Sequence, residues 1–182
     1  MNKILLVVDM QNDFITGTLG TDEAAKIVPM VARKIDHNLR CGASVWFTMD
    51  THYDDDYLSS REGYYLPIKH CIKGTEGHRI HPEICKFING TNSTLIKEKH
   101  DFAVDWWYEV YERCSHIVYA DSIEIVGLCT DICVVSNALV LRQVCKDLPI
   151  VVDASCCAGT TPEKHKAALE VMKSCQIEVV NE

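Results

Sequence analysis

Ile4-Leu5-Leu6-Val7-Val8-Asp9-Met10-Gln11-Asn12-Asp13-Phe14 is an unbroken apolar run that ends in a carboxylate and a polar turn. A run this short, apolar at every position, reads as a strand covered on both faces, because a half-exposed strand would alternate. A second, mostly apolar stretch far along the chain ends in a similar way. Ile123 to Val126 leads through Gly127 and Leu128 into Cys129-Thr130-Asp131-Ile132-Cys133, where an apolar-periodic segment opens. Each strand therefore delivers a reactive group at its C-terminal end, a carboxylate on one and a thiol on the other.

Between them, short β-branched runs alternate with longer amphipathic segments. Further strands are expected at Ala43–Thr48, Ser93–Ile96, His116–Tyr119 running on toward Ile123–Val126, Ile150–Val152 and Ile177–Val179. Helices are expected at Glu23–Leu39, Pro82–Ile88, Val104–Arg113, Asp131–Val144 and Pro162–Met172. In the first of these Ile27, Val31, Ile35 and Leu39 form one apolar stripe. Thr161-Pro162 gives the last a cap and a first-position proline. The pattern predicts a three-layer αβα fold, a doubly wound, mostly parallel sheet of about six strands in one domain spanning residues 1–182. The segment from about 50 to 85 lacks strong periodicity, and a loop that long in a compact domain is usually functional.

Composition narrows the function. A net charge of -8, with no block of lysine or arginine, argues against nucleic acid, and no apolar run is long enough to span a membrane. The N-terminus enters the first strand too soon to read as a signal peptide. Ten scattered cysteines in 182 residues suit a reducing compartment better than a disulfide scaffold, so the cytoplasm is the expected setting. Cys41, Cys85, Cys114, Cys145 and Cys175 read as small buried hydrophobes. No coiled coil specifies a partner, and a homo-oligomer stays open.

Cys133 is the candidate nucleophile. Thr130 or Asp131 as helix cap would leave the thiol in the first turn, where free N–H groups and the helix dipole favour thiolate. Backbone N–H groups of Cys129 and Cys133 could receive an oxyanion. Cys129 is the rival nucleophile, though it precedes the helix. Asp9 is the candidate base, against the plainer reading of a polar strand end. Lys99 or Lys97, on one side of the strand by alternation, could supply a cation. Asp50-Thr51-His52 sets two ligands on one side of an extended segment, and Glu62, His70, His78 and His81 follow in the loop. That donor set suits a divalent ion, Zn²⁺ first, with Fe²⁺ or Mn²⁺ as alternatives. Phe14, Tyr65 and Trp106 are candidates for a substrate pocket.

With these residues in view, the chain resembles the isochorismatase-like cysteine hydrolases, and among them the nicotinamidases. The matching stretches are 7–14, Asp50-Thr51-His52, 66–77, Lys99-His100-Asp101-Phe102 and 126–134, in family order and spanning nearly the whole chain. The resemblance implies a catalytic triad of Asp9, Lys99 and Cys133, with Lys99 favoured over Lys97 because it precedes Phe102 by three positions. It also implies an oxyanion hole at Cys129 and Cys133 beside a cis peptide bond between Leu128 and Cys129. The implied metal ligands are Asp50, His52 and His70. Many members add a histidine soon after the first, whereas Tyr53-Asp54-Asp55-Asp56-Tyr57 has none. Glu62 looks like the carboxylate substitute, with Asp54 to Asp56 left open. The implied substrate is nicotinamide, with pyrazinamide as a second.

Overall fold

The computed structural model describes residues 2–88, 94–105 and 107–182. Six strands form one sheet among them: β1 (Lys3–Val8), β2 (Ser44–Asp50), β3 (Thr94–Lys99), β4 (Ser122–Leu128), β5 (Ile150–Ala158) and β6 (Glu178–Val180). Their order is β3-β2-β1-β4-β5-β6 and every pairing is parallel. Residues 4–8 of β1 are all buried, as a central parallel strand requires.

The helices are α1 (Asn12–Ile15), α2 (Asp22–Arg40), α3 (Arg61–Tyr65), α4 (Pro82–Cys85), α5 (Trp107–Arg113), α6 (Ser115–Val118), α7 (Val135–Val144) and α8 (Pro162–Ser174). They cover both faces and divide the core in two. Ile27, Val31 and Ile35 of α2 pack with Leu5, Val7 and Phe47 on one face. Trp107 of α5, Leu141 of α7 and Met172 of α8 pack with Leu6, Val8 and Ile125 on the other. This is the expected three-layer α/β arrangement. The caps also match their sequence: the Thr21 and Thr161 side chains accept from Ala24 N and Lys164 N.

Several local expectations need correction. Residues 115–118 are a helical turn, not strand, and β4 begins at Ser122. The loop of 50–85 carries its own short helices and is pinned by bridges from Gln11 to Ile80 and from His52 to Ile72. Cys145 is buried, but Cys41, Cys85 and Cys175 are exposed on the surface. No helix among the described residues is long and apolar enough to cross a membrane.

One charge in β4 interrupts an otherwise apolar strand. Glu124 and Asp153 both meet Lys34, which reaches across from α2. Burial raises the Asp153 carboxyl, but hydrogen bonds from Lys34 and Ser155 outweigh it and hold it below the usual value. Burial opposes the Lys34 charge and the two carboxylates overcome it, so that group is raised. Lys34→Met would leave the buried Asp153 and the partly buried Glu124 without their cation, and urea unfolding should show a loss of about 3 kcal/mol. A depressed acid stabilises above its unfolded pKa of 3.8 and a raised lysine below its own of 10.5. In the variant, burial without Lys34 raises the Asp153 carboxyl, so the gap should begin to narrow as pH falls toward about 4 and close further below it. It should also narrow above about pH 10.5.

Candidate active site and metal centre

Because all the strands are parallel, their C-terminal ends share one edge. Strand order reverses between β1 and β4, and open α/β sheets bind ligands in the crevice at that point. Asp9 leaves β1 there and Cys129 leaves β4. Val8 pairs with Gly127, whose φ of +119° suits glycine, and a Cβ at Gly127 would lie 2.1 Å from Val8 O. Glycine is what lets the two tips come this close. Asp9 itself has φ 47°, in the left-handed region that aspartate tolerates better than most residues.

Asp9 is fully buried. Its Oδ1 accepts from Thr48 Oγ1 at 2.7 Å, and its Oδ2 lies 2.8 Å from Lys99 Nζ. That second contact is an ion pair without hydrogen-bond alignment, so Oδ2 keeps a lone pair uncommitted. Lys99 ends β3 beside Asp50, the end of β2. The Lys99 ammonium also reaches Asp50 Oδ1 at 3.2 Å and Cys133 Sγ at 3.4 Å. Two carboxylates and a thiol thus share one buried cation.

The charges follow from that geometry. Burial opposes the Lys99 charge, but Asp9, Cys133 and Asp50 outweigh it and hold the lysine well above its ordinary value. Burial raises Asp9 more than Lys99 lowers it. Burial also pushes the Cys133 thiol well up, against the opposing pull of Lys99. This corrects the expectation of a resting thiolate. Residues Thr130–Val134 form a π-helical turn, and neither Thr130 nor Asp131 caps it. Thr130 Oγ1 pairs with His165 Nδ1 at 2.8 Å, while Asp131 accepts from Thr160 N at 2.7 Å and Thr160 Oγ1 at 2.6 Å. Cys129 precedes the turn half-buried, its thiol pushed up to about 12 by burial, and the Leu128–Cys129 peptide is cis.

Beside this cluster the other oxygen of Asp50 faces two histidines. Asp50 Oδ2 lies 3.0 Å from His52 Nε2 and 3.5 Å from His70 Nε2. Glu62, in the first turn of α3, comes within 3.6 Å of His52 Nε2 and 3.5 Å of His70 Nε2. The four residues offer ligand atoms that all lie within 4.8 Å of one another. Atoms bound to a single ion at ~2.0–2.2 Å are ~3–3.5 Å apart, so the spacings and the mixed N/O donor set fit a divalent metal. His70 Nδ1 bonds Ile68 O at 2.9 Å, which leaves Nε2 facing the centre. Burial works against a proton on His70, but Asp50 and Glu62 outweigh it and push its pKa up to about 10.

The other loop candidates go elsewhere. Asp54 pairs with Lys69, His78 bonds Thr51, and His81 caps α4. Three further residues support the site; Gln11 reads from the sequence, with Asn12, as a polar group that ties down the loop, while Thr48 and Tyr57 were not singled out from it. Gln11 clamps Asp50 through its backbone, accepting from Asp50 N at 2.7 Å and donating to Asp50 O at 2.9 Å. Thr48 supports Asp9, and strand alternation puts it on the Asp50 side, a usable signal. Tyr57 is buried against His52 and His70, and no pattern in the sequence marks it.

A cleft of about 1110 Å³ opens above both clusters. Phe14 lines it and packs on His70 with ring centroids 5.5 Å apart. Tyr65 borders it but is 70% exposed, a rim residue rather than a wall. Phe102 and Ile132 line the cleft near Cys133. Trp106 lies outside the described residues.

Residues 3–181 match the isochorismatase domain model. The chain belongs to the isochorismatase family. It is 28% identical to a nicotinamidase/pyrazinamidase of Mycobacterium tuberculosis, over 98% of both chains. A crystal structure of the nicotinamidase/pyrazinamidase of Bacillus subtilis superposes with a TM-score of 0.84 at 26% identity, covering all of both chains. A pyrazinamidase of Pyrococcus horikoshii in complex with zinc superposes with a TM-score of 0.82 at 25% identity, again over both full chains. Family membership makes this chain a hydrolase, and its Asp50, His52, Glu62 and His70 form a site suited to a divalent ion.

Proposed function

We propose that the protein is a metal-containing cysteine amidohydrolase that converts nicotinamide and water to nicotinate and ammonia. The observation that carries this reading is the double role of Asp50. One of its oxygens meets the cation that contacts Cys133 and Asp9, and the other belongs to the candidate metal cluster. A thiol poised for acyl transfer and a ring-orienting centre would then face one cleft. Relatives named as nicotinamidases support the substrate.

The resting thiol makes proton transfer part of the attack. Cys133 Sγ gives its proton to Asp9 Oδ2, and the thiolate bonds to the carboxamide carbon. Lys99 offsets the negative charge that builds beside it, and the N–H groups of Cys129 and Cys133 donate to the oxyanion. Asp9 returns the proton to the leaving nitrogen, ammonia departs, and a thioester remains. Asp9 takes a proton from water, and the hydroxide displaces Cys133 from the thioester carbon. Asp9 returns the proton to the sulfur, and the nicotinic acid released gives its own proton to ammonia, leaving nicotinate. Asp50, His52, Glu62 and His70 would hold the ion, zinc by its donor set, which when bound supplies a Lewis-acid contact for the pyridine nitrogen.

The size of the cleft favours a second reading, an amidase for a larger amide or carbamoyl compound. Ammonia release from nicotinamide, pyrazinamide, aliphatic amides and carbamoyl compounds, compared by kcat/KM, separates the two. Nicotinamide should lead the panel, by about tenfold or more over any aliphatic amide. An aliphatic or carbamoyl substrate in first place would establish the second reading, and no turnover at all would leave an inactive binding module.

A further inference from the structure

Asn137 is a fully buried amide on α7, one helical turn after Cys133, in a region that is otherwise apolar. Its Nδ2 donates to Cys133 O at 2.8 Å and to Phe102 O at 3.2 Å. Its Oδ1 accepts from Trp107 Nε1 at 2.8 Å and from Val104 N at 3.1 Å. An asparagine side chain has two N–H donors and two acceptor lone pairs, so this amide is saturated. The partners also fix its orientation, since carbonyls face one end and N–H donors the other. Asparagine is a poor helix former, and an apolar residue of similar branching such as leucine would suit a helix in apolar surroundings better. The four bonds are the physical reason for an amide here.

Those bonds join two walls of one cleft. One wall is the π-helical turn that carries Cys133, and the other begins at Phe102, whose ring is 42% exposed and lines the cleft. The two walls belong to separate segments, one after β4 and one after β3. They share an apolar cluster that includes Val104, Trp107, Val134 and Ala138, and the Asn137 amide adds the directional bonds between them. We propose that Asn137 is a positioning residue that locks the Cys133 turn against Phe102, and so holds the thiol at Lys99 and sets the cleft's width. Asn137 acts through Cys133 and touches no substrate. The inference rests on Cys133 being the reacting thiol, but not on the identity of the amide.

The test compares the parent with Asn137→Ser, which is neutral and too short to bridge the two walls. Leu141→Ala, a buried position one turn further along α7, serves as a packing control. Two rates are measured well below the melting temperature: iodoacetamide labelling of Cys133 read by peptide mass, and ammonia release. Asn137→Ser should slow both by about tenfold or more, because the thiol drifts from Lys99. Leu141→Ala should lower Tm at least as much while changing either rate by less than about twofold. Parental or faster labelling in Asn137→Ser overturns the proposal, as do rates that fall in step with Tm in both variants. If Asn137→Ser does not fold, Asn137→Thr is held to the same outcomes. A parent that labels at Cys133 but releases no ammonia from nicotinamide refutes the substrate, and the labelling comparison still decides Asn137.

Discussion

Cys133→Ala should lower kcat/KM for nicotinamide by about 10⁴-fold or more, because no other group in the cluster can form the acyl intermediate. Cys129→Ala should keep activity within about threefold of the parent, since it removes a half-buried side chain and leaves the backbone N–H in place. The contrast follows from distance and charge. Cys133 Sγ lies 3.4 Å from the Lys99 ammonium, and both belong to the group that includes Asp9. Melting curves guard against a trivial loss, because alanine fills most of the cysteine's volume and leaves Lys99 paired with two carboxylates. Activity retained in Cys133→Ala and lost in Cys129→Ala would reverse the assignment. Equal losses in both would point to the turn itself instead of either thiol.

The parts of this site that are legible in the sequence are those written as local pattern. An unbroken apolar run at 4–8 and a mostly apolar one at 123–128, interrupted by Glu124, each leading to a candidate reactive residue, give the central strands and the edge on which they end. The spacing of Asp50 and His52 gives two neighbouring candidate ligands. What the sequence hides is convergence over long separations. Periodicity does not separate Glu62 from Asp54; the family resemblance favours Glu62, and in the fold a short helix capped at Ser60 brings it to the histidines. Ionisation is hidden for the same reason. A helix start next to Cys133 suggests a thiolate, but burial raises the thiol more than the nearby Lys99 lowers it, and that burial is set by the tertiary fold. The bridging role of Asp50 is equally invisible, since it follows from the register that pairs Asp50 with Lys99.

That bridging determines how the metal centre should be tested. Removing Asp50 would disturb both clusters at once, because its two oxygens serve Lys99 and the histidines separately. His52 touches only the Oδ2 side, and Lys99 keeps Asp9 at 2.8 Å and Asp50 Oδ1 at 3.2 Å without it. His52→Ala should therefore empty the metal site, as read by mass spectrometry of the purified protein, and lower kcat/KM for nicotinamide by about 100-fold or more. The rate of Cys133 labelling by iodoacetamide should stay within about threefold of the parent, because the thiol's cation is untouched. Asp50→Ala should lose both. Unchanged metal content in His52→Ala would remove His52 from the centre. A parent that stays fully active after chelation, with no metal bound, would refute the metal's role in holding the pyridine ring and leave the thiol cluster as a metal-independent amidase.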